Sequence, residues 1–233
     1  MPGPQTQPAR ERAMRGVIFD LDGVLVTTDE FHYRGWKELA DVLGLAFDRE
    51  VNHSLRGVSR QQSLRNIYAH NGRALPADDV FNAQCDRKNA RYVELVGTMT
   101  PADVLAGSIE LLEALRGAGV RCAVASASRN TPLVLERTGL RKYFDAVADG
   151  NDTSRSKPDP EVFLAAAQRL GLTAGECIGV EDAAVGVEAI HNAGMPAAGI
   201  GEQARAAERV FSSVGELSLQ ALEKIFAAWA KRS

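Results

Sequence analysis

Two acidic residues, Asp20 and Asp22, follow directly on a short apolar run near the beginning of the chain. The run, residues 17–19, consists of strand-forming side chains, and an unbroken apolar run predicts a strand buried on both faces. Side chains two positions apart on extended backbone point the same way, so both carboxylates should project from the carboxyl end of this strand. Paired carboxylates repel each other unless a cation lies between them or one of them holds a proton. Taken alone, the pair is also compatible with a plain acidic turn, which Gly23 would allow.

Three further groups of polar residues occur at the ends of later predicted strands or in the loop between them. Ser126 follows one predicted strand, Glu181 and Asp182 follow another, and Lys157 lies on a proline-containing loop between them. Taken singly, such a serine would be a turn residue and such a lysine a solvated charge. Because ligands bind at the carboxyl edge of open parallel sheets, we expect these groups to meet the first acidic pair there. Four carboxylates at one edge favour a hard divalent cation such as Mg²⁺, and the whole set then predicts phosphoryl transfer.

The elements that would bring these groups together are indicated by alternating strand and helix patterns. Five strands are predicted, at residues 17–19, 121–125, 146–148, 177–180 and 197–200. Helical patterns lie between the later strands and near the C-terminus. This alternation is typical of an α/β fold with a doubly wound parallel sheet.

An all-helical stretch interrupts the alternation just after the first strand. Residues 28–99 carry helical patterns, with a polar loop at residues 55–60 and no clear strand. We therefore predict an α/β core formed by residues 15–27 and 100–233, with a helical insertion at residues 28–99. Residues 1–14 are predicted to be a disordered tail.

Composition excludes several classes of partner. The 233 residues are 45% hydrophobic and 24% charged, which is enough for one sizeable domain with or without a small second one. A formal net charge of −3 argues against nucleic acid or an anionic membrane as a partner, and no apolar run approaches the ~20 residues of a membrane span. Cys85, Cys122 and Cys177 lack metal-binding spacing and indicate a reducing, cytoplasmic location. No long hydrophobic seam indicates an obligate dimer, so a monomer is expected.

Taken together, the polar signals resemble the four motifs of the haloacid dehalogenase superfamily in order and spacing. The matching pieces are DLDG at residues 20–23, the serine at 126, Lys-Pro at 157–158 and Glu-Asp at 181–182. More narrowly, the inserted helices are similar to the cap of the β-phosphoglucomutase family, through residues 32–37, 56–60 and 87–89 and the core loop 126–130. The resemblance covers residues 15 to about 201 and implies a Rossmann-like core with an inserted α-helical cap.

The resemblance also implies chemical roles. Asp20 would be the nucleophile that becomes an aspartyl phosphate, and Asp22 the general acid and base. Ser126 and Lys157 would hold the phosphoryl group in transfer. One Mg²⁺ ion would be bound by Asp20, the backbone carbonyl of Asp22, Glu181 (directly or through water) and Asp182.

A sugar phosphate is the small-molecule partner that the resemblance implies. The corresponding substrate-binding set is Thr28, His32, Trp36, Arg56, Gly57, Arg60, Ser63, Lys88, Ser126, Ala127, Ser128, Arg129, Asn130 and Lys157. Within it, Thr28 lies at the hinge, His32 lies close to Asp22, and Arg60 is among the candidates for a second phosphate. Arg56 and Arg129 stand where lysine is usual, which keeps the charge but changes its geometry. Individually, Trp36 could simply pack, and the charged cap residues could be ordinary solvated side chains.

The resemblance therefore implies a phosphomutase that interconverts β-D-glucose 1-phosphate and D-glucose 6-phosphate. The reaction would run through β-glucose 1,6-bisphosphate and the aspartyl-phosphate enzyme, with that bisphosphate or another phosphoryl donor as activator. One alternative is a phosphatase of the same superfamily that hydrolyses a small phosphate ester. A non-catalytic sugar-phosphate sensor is the alternative of another class, and the presence of Asp20, Lys157 and Asp182 argues against it because sensing needs no nucleophile.

Overall fold

The computed structural model describes residues 13–232, which form a six-stranded parallel sheet with helices packed on both faces. The strands are β1 (Gly16–Phe19), β2 (Arg121–Ala125), β3 (Ala146–Ala148), β4 (Cys177–Glu181), β5 (Ala197–Ile200) and β6 (Arg209–Phe211). They lie in the order β3-β2-β1-β4-β5-β6, and every neighbouring pair is parallel. The predicted doubly wound parallel sheet is confirmed, whereas residues 1–12 of the predicted tail lie outside the described residues.

Two hydrophobic clusters cover the two faces of the sheet. The helices are α1 (Asp29–Leu43), α2 (Arg49–Ser54), α3 (Arg60–His70), α4 (Asp78–Val96), α5 (Ser108–Gly117), α6 (Thr131–Arg137), α7 (Glu161–Arg169), α8 (Ala184–Asn192) and α9 (Leu219–Ala230). Val17 and Phe19 of β1 enter the cluster that includes α5, α6 and α9, whereas Ile18 enters the cluster that includes α7 and α8. This alternation follows from the two-residue period of a strand and explains why β1 is apolar throughout.

Strand β1 lies at the centre of the sheet and ends level with both of its neighbours. Phe19 is paired with Val124 of β2 and with Val180 of β4. The backbone N–H of Asp20 extends this pairing by donating to the carbonyl of Val180 at 2.9 Å. The residues that follow β1, β2 and β4 therefore emerge together at one edge of the sheet.

Helices α1–α4 form the inserted segment and share a hydrophobic cluster of their own. Trp36 of α1, Leu64 of α3 and Phe81 of α4 are buried in it. Helices α2 and α3 begin at the side-chain N-caps Asp48 and Ser59, each of which accepts a backbone N–H of its own first turn. The division of the chain into a core and a cap stays a prediction, and this separate cluster is its physical basis.

The chain enters and leaves the inserted segment at neighbouring points. Val26 forms an isolated antiparallel bridge with Val104. The carbonyl of Leu25 accepts the backbone N–H of Leu105 at 2.9 Å and the hydroxyl of Ser108 at 3.3 Å. The two connections are thus hydrogen-bonded to each other beside the sheet.

Two elements differ from the sequence-based expectation. Helix α2 lies just before the predicted polar loop, and its six residues are too few to show a helical period. Strand β6 is a sixth strand of three residues at the edge of the sheet, where two of the three side chains are exposed. Among the described residues, no helix has the length and apolar character needed to cross a membrane.

Candidate active site

Three buried carboxylates converge where β1 and β4 end. Asp20, Glu181 and Asp182 each offer an oxygen atom, and these oxygens lie within 4.8 Å of one another. Gly23 allows the chain to pass close to Asp182, because it has a φ of +87° and a Cβ atom there would lie 2.1 Å from Asp182 Oδ2. Ser126, at the end of β2, is buried at the same edge. The structure therefore brings the four predicted core motifs together.

Lys157 is the buried cation of this cluster. Its Nζ donates to Asp20 Oδ1 at 2.5 Å and to Glu181 Oε2 at 2.7 Å. Burial alone would lower the pKa of Lys157, but the charges of Asp20 and Glu181 outweigh it and raise that pKa. The other oxygen of Glu181 accepts the backbone N–H groups of Asp182 and Ala183. Glu181 is therefore already committed to orienting Lys157 and the turn after β4.

With all three carboxylates ionised, the cluster would carry more negative than positive charge. Burial first, and then the charge of Glu181, raise the pKa of Asp20 above its ordinary value. The same two causes, in the same order, raise the pKa of Asp182 to about 9. One lysine cannot neutralise three carboxylates, and hard carboxylate oxygens are the ligands that Mg²⁺ prefers. The donor set fits Mg²⁺, with Asp20 and Asp182 as the side chains that have oxygens free for it.

Asp22 is held against the start of the inserted segment. Its Oδ1 accepts the backbone N–H of Thr28 at 2.6 Å, and its Oδ2 accepts the Thr28 hydroxyl. The Nε2 of His32 lies 3.7 Å from the same Oδ2. Burial raises the pKa of Asp22, and the two hydrogen bonds from Thr28 oppose that rise. Asp22 is thus oriented by Thr28, and an imidazole lies beside it.

Lys88 lies between this imidazole and two aromatic rings of the inserted segment. Its Nζ lies 2.9 Å from His32 Nδ1 and faces the rings of Trp36 and Tyr92, 4.8 and 4.6 Å from their centroids. Burial, and then the charge of Arg60, lower the pKa of Lys88 to about 7. Burial and the nearby Lys88 lower the pKa of His32 well below its usual value, so this imidazole is neutral at pH 7. A neutral His32 that accepts from Lys88 at Nδ1 directs its Nε2–H towards Asp22.

A single cavity of about 840 Å³ joins these groups. The predicted residues that line it are Asp20, Asp22, His32, Trp36, Arg56, Gly57, Arg60, Ser63, Lys88, Ser126, Ala127, Ser128, Arg129, Asn130, Lys157 and Asp182. Two predicted site residues, Thr28 and Glu181, do not line it. The placement of Thr28 in the substrate-binding set is therefore corrected, because its hydroxyl is buried behind Asp22 and faces Asp22 and Tyr92 instead.

The loop after β2 is folded so that it presents polar groups to the cavity. The hydroxyl of Ser126 accepts the backbone N–H of Ser128, and the hydroxyl of Ser128 accepts that of Asn130, both at 3.2 Å. The Nε of Arg129 donates to the carbonyl of Gly150 at 3.1 Å. Each serine hydroxyl accepts a hydrogen bond here, and each still has its own hydrogen to donate to an anion in the cavity.

The inserted helices contact the core on two sides of the cavity. The side chain of Asn130 donates to Asn89 of α4 at 2.8 Å. On the other side, Arg56 forms an ion pair with Asp29 at 3.3 Å and reaches Asp182 at 3.8 Å. Gly57 makes this approach possible, because it has a φ of +76° and its Cβ position is 2.9 Å from a methyl of Val185. The insertion is therefore closed over the carboxylate cluster.

The sequence did not single out Asp29, Asn89 or Tyr92 as site residues. Tyr92 follows Lys88 by four positions on α4 and so lies on the same helix face, which was the available signal. Its aromatic character indicated packing, and only the fold shows that its hydroxyl reaches Thr28 at 3.1 Å.

Comparison with known proteins identifies the class to which this fold and site belong. The model of the haloacid dehalogenase-like hydrolase family matches residues 14–194. The chain therefore belongs to the haloacid dehalogenase-like hydrolases.

Individual relatives include both mutases and phosphatases. The chain is 36% identical to a β-phosphoglucomutase of Bacillus subtilis over 214 residues, which are 91% of this chain and 95% of the relative. It is 30% identical to a fructose-1-phosphate phosphatase of Escherichia coli over 182 residues, 78% of this chain and 94% of the relative. The crystal structure of a β-phosphoglucomutase from Clostridium difficile superimposes with a TM-score of 0.90 at 32% identity, covering 94% of this chain and all of the other. The chain is thus similar to a mutase over nearly its whole length.

Proposed function

We propose that this protein is a phosphomutase that interconverts β-D-glucose 1-phosphate and D-glucose 6-phosphate. One observation carries the proposal: the cavity that holds Asp20 and the cation of Lys157 is also lined by a separate pair of cations, Arg60 and Arg129. These two arginines are close enough that, after burial, the charge of Arg129 helps to lower the pKa of Arg60. Arg60 also lies 3.8 Å from the exposed carboxylate of Asp86, so the two arginines together still carry a net positive charge that a phosphate group could offset. A bisphosphate supplies one phosphate to each cationic group, whereas hydrolysis of a monophosphate needs only the first.

The phosphoryl group would be carried by Asp20. A free carboxylate oxygen of Asp20 attacks the phosphorus of a sugar phosphate, the bond from phosphorus to the sugar oxygen breaks, and an aspartyl phosphate forms. Lys157 contacts Asp20 directly, so its ammonium group can also stabilise the negative charge on the phosphoryl oxygens. The hydroxyl of Ser126 can donate a hydrogen bond to the same oxygens. Mg²⁺, held by Asp20, the backbone carbonyl of Asp22 and Asp182, with Glu181 directly or through water, would neutralise charge on the phosphoryl group.

Asp22 would move the proton of the sugar hydroxyl. As a sugar hydroxyl attacks the aspartyl phosphate, Asp22 takes its proton, and the bond from phosphorus to Asp20 breaks. In the reverse direction the protonated Asp22 returns the proton to the departing sugar oxygen. Turning the bisphosphate end for end then gives the isomeric monophosphate. A first supply of β-glucose 1,6-bisphosphate, or of another phosphoryl donor, would prime the enzyme.

Hydrolysis of a small phosphate ester is the second candidate function. It uses the same Asp20 chemistry with water as the acceptor, and the similarity to a fructose-1-phosphate phosphatase favours it. A sugar-phosphate sensor gains no support from the buried Asp20–Lys157 pair. The monomeric state, the cytoplasmic location and the exclusion of nucleic acid and membrane stay predictions.

A paired assay separates the two candidate functions. β-Glucose 1-phosphate primed with a trace of bisphosphate should yield glucose 6-phosphate much faster than free phosphate, when both products are measured in one sample. Asp20→Asn should yield neither product. Arg60→Ala should slow isomerisation by about 10- to 100-fold, the worth of a charge-assisted phosphate contact, with a far smaller effect on hydrolysis of the phosphoenzyme. Free phosphate as the main product from each sugar phosphate tried would establish the phosphatase instead.

A further inference from the structure

Glu161, the first residue of α7, holds the loop that carries Lys157. Its Oε2 accepts the backbone N–H groups of Ser154 and Arg155 at 3.0 and 2.9 Å. The hydroxyl of Ser154 donates to the same oxygen at 3.2 Å. The hydrogen bond from the backbone of Arg155 is the largest cause that lowers the pKa of Glu161, so the carboxylate remains an acceptor at neutral pH. One side chain thus fixes two successive backbone groups, and Lys157 follows them by two positions.

The backbone is also held on the far side of Lys157. Asp159 Oδ1 accepts the backbone N–H of Glu161 at 3.0 Å. The side chain of Asn192 on α8 donates to the carbonyl of Pro158 at 3.0 Å. The chain on both sides of Lys157 is therefore tied to the adjoining helices, and Glu161 takes part on both sides.

Helix α7 supports the side chain of Lys157 as well as its backbone. Phe163 is fully buried on this helix, and its ring centroid lies 5.0 Å from Lys157 Nζ. From that position the ammonium group reaches Asp20 and Glu181. Helix α7 packs on the sheet in the cluster that contains Ile18 of β1. The distance from the ammonium group to the end of β1 therefore depends on how the loop is joined to α7.

We propose that Glu161 is a positioning residue that keeps the ammonium group of Lys157 against Asp20. The inference deepens the proposed function and rests on its phosphoryl-transfer step, in which Lys157 stabilises charge on the phosphoryl oxygens. Ser154 and Arg155 line the cavity, so water can reach their backbone N–H groups once the carboxylate of Glu161 is removed. The loop is then no longer fixed where it leads into Lys157, and the ammonium group loses its alignment with Asp20.

The kinetic test uses primed β-glucose 1-phosphate and measures the sum of glucose 6-phosphate and free phosphate. Glu161→Ala should lower kcat by about 10-fold, the consequence of weakening one hydrogen bond from a charged group in the transition state. Its KM should stay within about 2-fold of the parent value, because Arg60 and Arg129 still face the second phosphate. Glu161→Gln should keep kcat within about 2-fold, because a single amide oxygen can accept both backbone N–H groups. Glu161→Gln as slow as Glu161→Ala would overturn the proposal.

Glu216→Ala is the matched control. Glu216 lies between β6 and α9 and holds a loop in the same way, accepting the backbone N–H of Ser212 at 3.1 Å and the hydroxyl of the same serine. Neither residue lines the cavity. The control should keep the parent kcat and KM. A loss of kcat equal to that of Glu161→Ala would show that loosening any such loop has this effect, and the positioning role would be wrong.

Acylation of Lys157 gives a readout that does not depend on turnover. Without substrate or metal, the buried Lys157 of the parent should react with acetic anhydride far more slowly than the exposed Lys37, as measured by mass spectrometry of peptides. In Glu161→Ala, shown by circular dichroism to be folded, Lys157 should react several-fold faster while Lys37 is unchanged. Glu161→Gln and Glu216→Ala should react like the parent.

The acylation rate separates this inference from the proposed function. If the parent forms neither product, the proposed phosphoryl transfer fails, and the rate at Lys157 still decides the role of Glu161. An unchanged rate at Lys157 in folded Glu161→Ala would refute the positioning role whichever product the enzyme makes.

Discussion

At the scale of single residues, the site is organised by a lysine that serves two carboxylates at once. Lys157 is fully buried and contacts both Asp20 and Glu181, whose side chains are also buried. Neither carboxylate has another cation at comparable distance among the described residues. The ammonium group of Lys157 therefore contributes to the stability of the fold as well as to the chemistry proposed for Asp20.

Lys157→Met should destabilise the protein by about 3–5 kcal/mol, because it leaves two carboxylates buried without their counter-ion. Urea unfolding at neutral pH in the absence of metal measures the change. Lys37→Met is the matched control, since Lys37 pairs with Asp41 on the surface of α1 and its loss should change the free energy of unfolding by less than about 0.5 kcal/mol. Equal losses for the two variants would show that the buried pairs add nothing to stability.

From the sequence, we could predict those site residues whose charged side chains have no other obvious role. Asp20, Lys157 and Asp182 were predicted because a carboxylate at the end of a strand, or an ammonium group on a rigid loop beside it, has no packing role. Tyr92 was missed because an aromatic side chain on a helix satisfies a packing pattern equally well. Thr28 was assigned to the substrate because the sequence cannot show which side of Asp22 a neighbouring hydroxyl occupies.

At the scale of elements, the contact between the α2–α3 loop and the end of β4 joins the inserted segment to the proposed metal site. Arg56 is held by Asp29 of α1, and Asp29 also accepts a hydrogen bond from Asn52 of α2 at 3.1 Å. From this position the guanidinium of Arg56 reaches Asp182. A cation bound by the carboxylates and the cation of Arg56 therefore compete for Asp182.

Arg56→Met should tighten Mg²⁺ binding by about 3- to 10-fold, because it removes a positive charge that contacts a proposed metal ligand. Isothermal titration calorimetry without substrate measures the affinity. Arg49→Met serves as the control, since Arg49 belongs to the same helical segment but pairs with the exposed Glu30. Weaker Mg²⁺ binding in Arg56→Met than in the control would mean that Arg56 supports the metal ligands instead of competing with the metal.

Helices and strands could be predicted from the sequence where the segment was long or fully buried. The helices of the insertion that were predicted have at least 11 residues, and β1 is buried along its whole length. Helix α2 has only six residues and begins at the cap residue Asp48. Strand β6 forms because it pairs with β5, and its own side chains show no strand pattern. Contacts of this kind are tertiary, and no local pattern encodes them.

At the scale of the whole molecule, the carboxylate cluster makes stability depend on pH and on metal. The pKa of Asp182 rises from the ordinary 3.8 to about 9 on folding, and that of Asp20 rises as well. The folded protein therefore binds more protons than the unfolded chain between these values, and without metal its stability should fall as pH rises through this range. Lys157, whose pKa is raised, remains charged throughout the range.

Thermal unfolding should show this dependence and its reversal by Mg²⁺. In the presence of a chelator, the midpoint temperature should be lower near pH 9 than near pH 6. Saturating Mg²⁺ should raise the midpoint more at the higher pH, where the carboxylates are free of protons and bind the ion better. Asp182→Asn should lose most of this pH dependence. A chelated protein whose midpoint rises with pH between 6 and 9 would contradict the assignment.

The bridge between Val26 and Val104 bears on how such a protein can change over evolutionary time. Because the entry and exit of residues 28–99 are already adjacent and bonded to each other, a helical segment of another length or sequence could be exchanged there without stretching the sheet. The cavity-lining residues Trp36, Ser63 and Lys88 belong to that segment, whereas Asp20 and Lys157 do not. Recombination at these two adjacent connections would therefore alter the substrate specificity while leaving in place the residues of the chemistry proposed for Asp20.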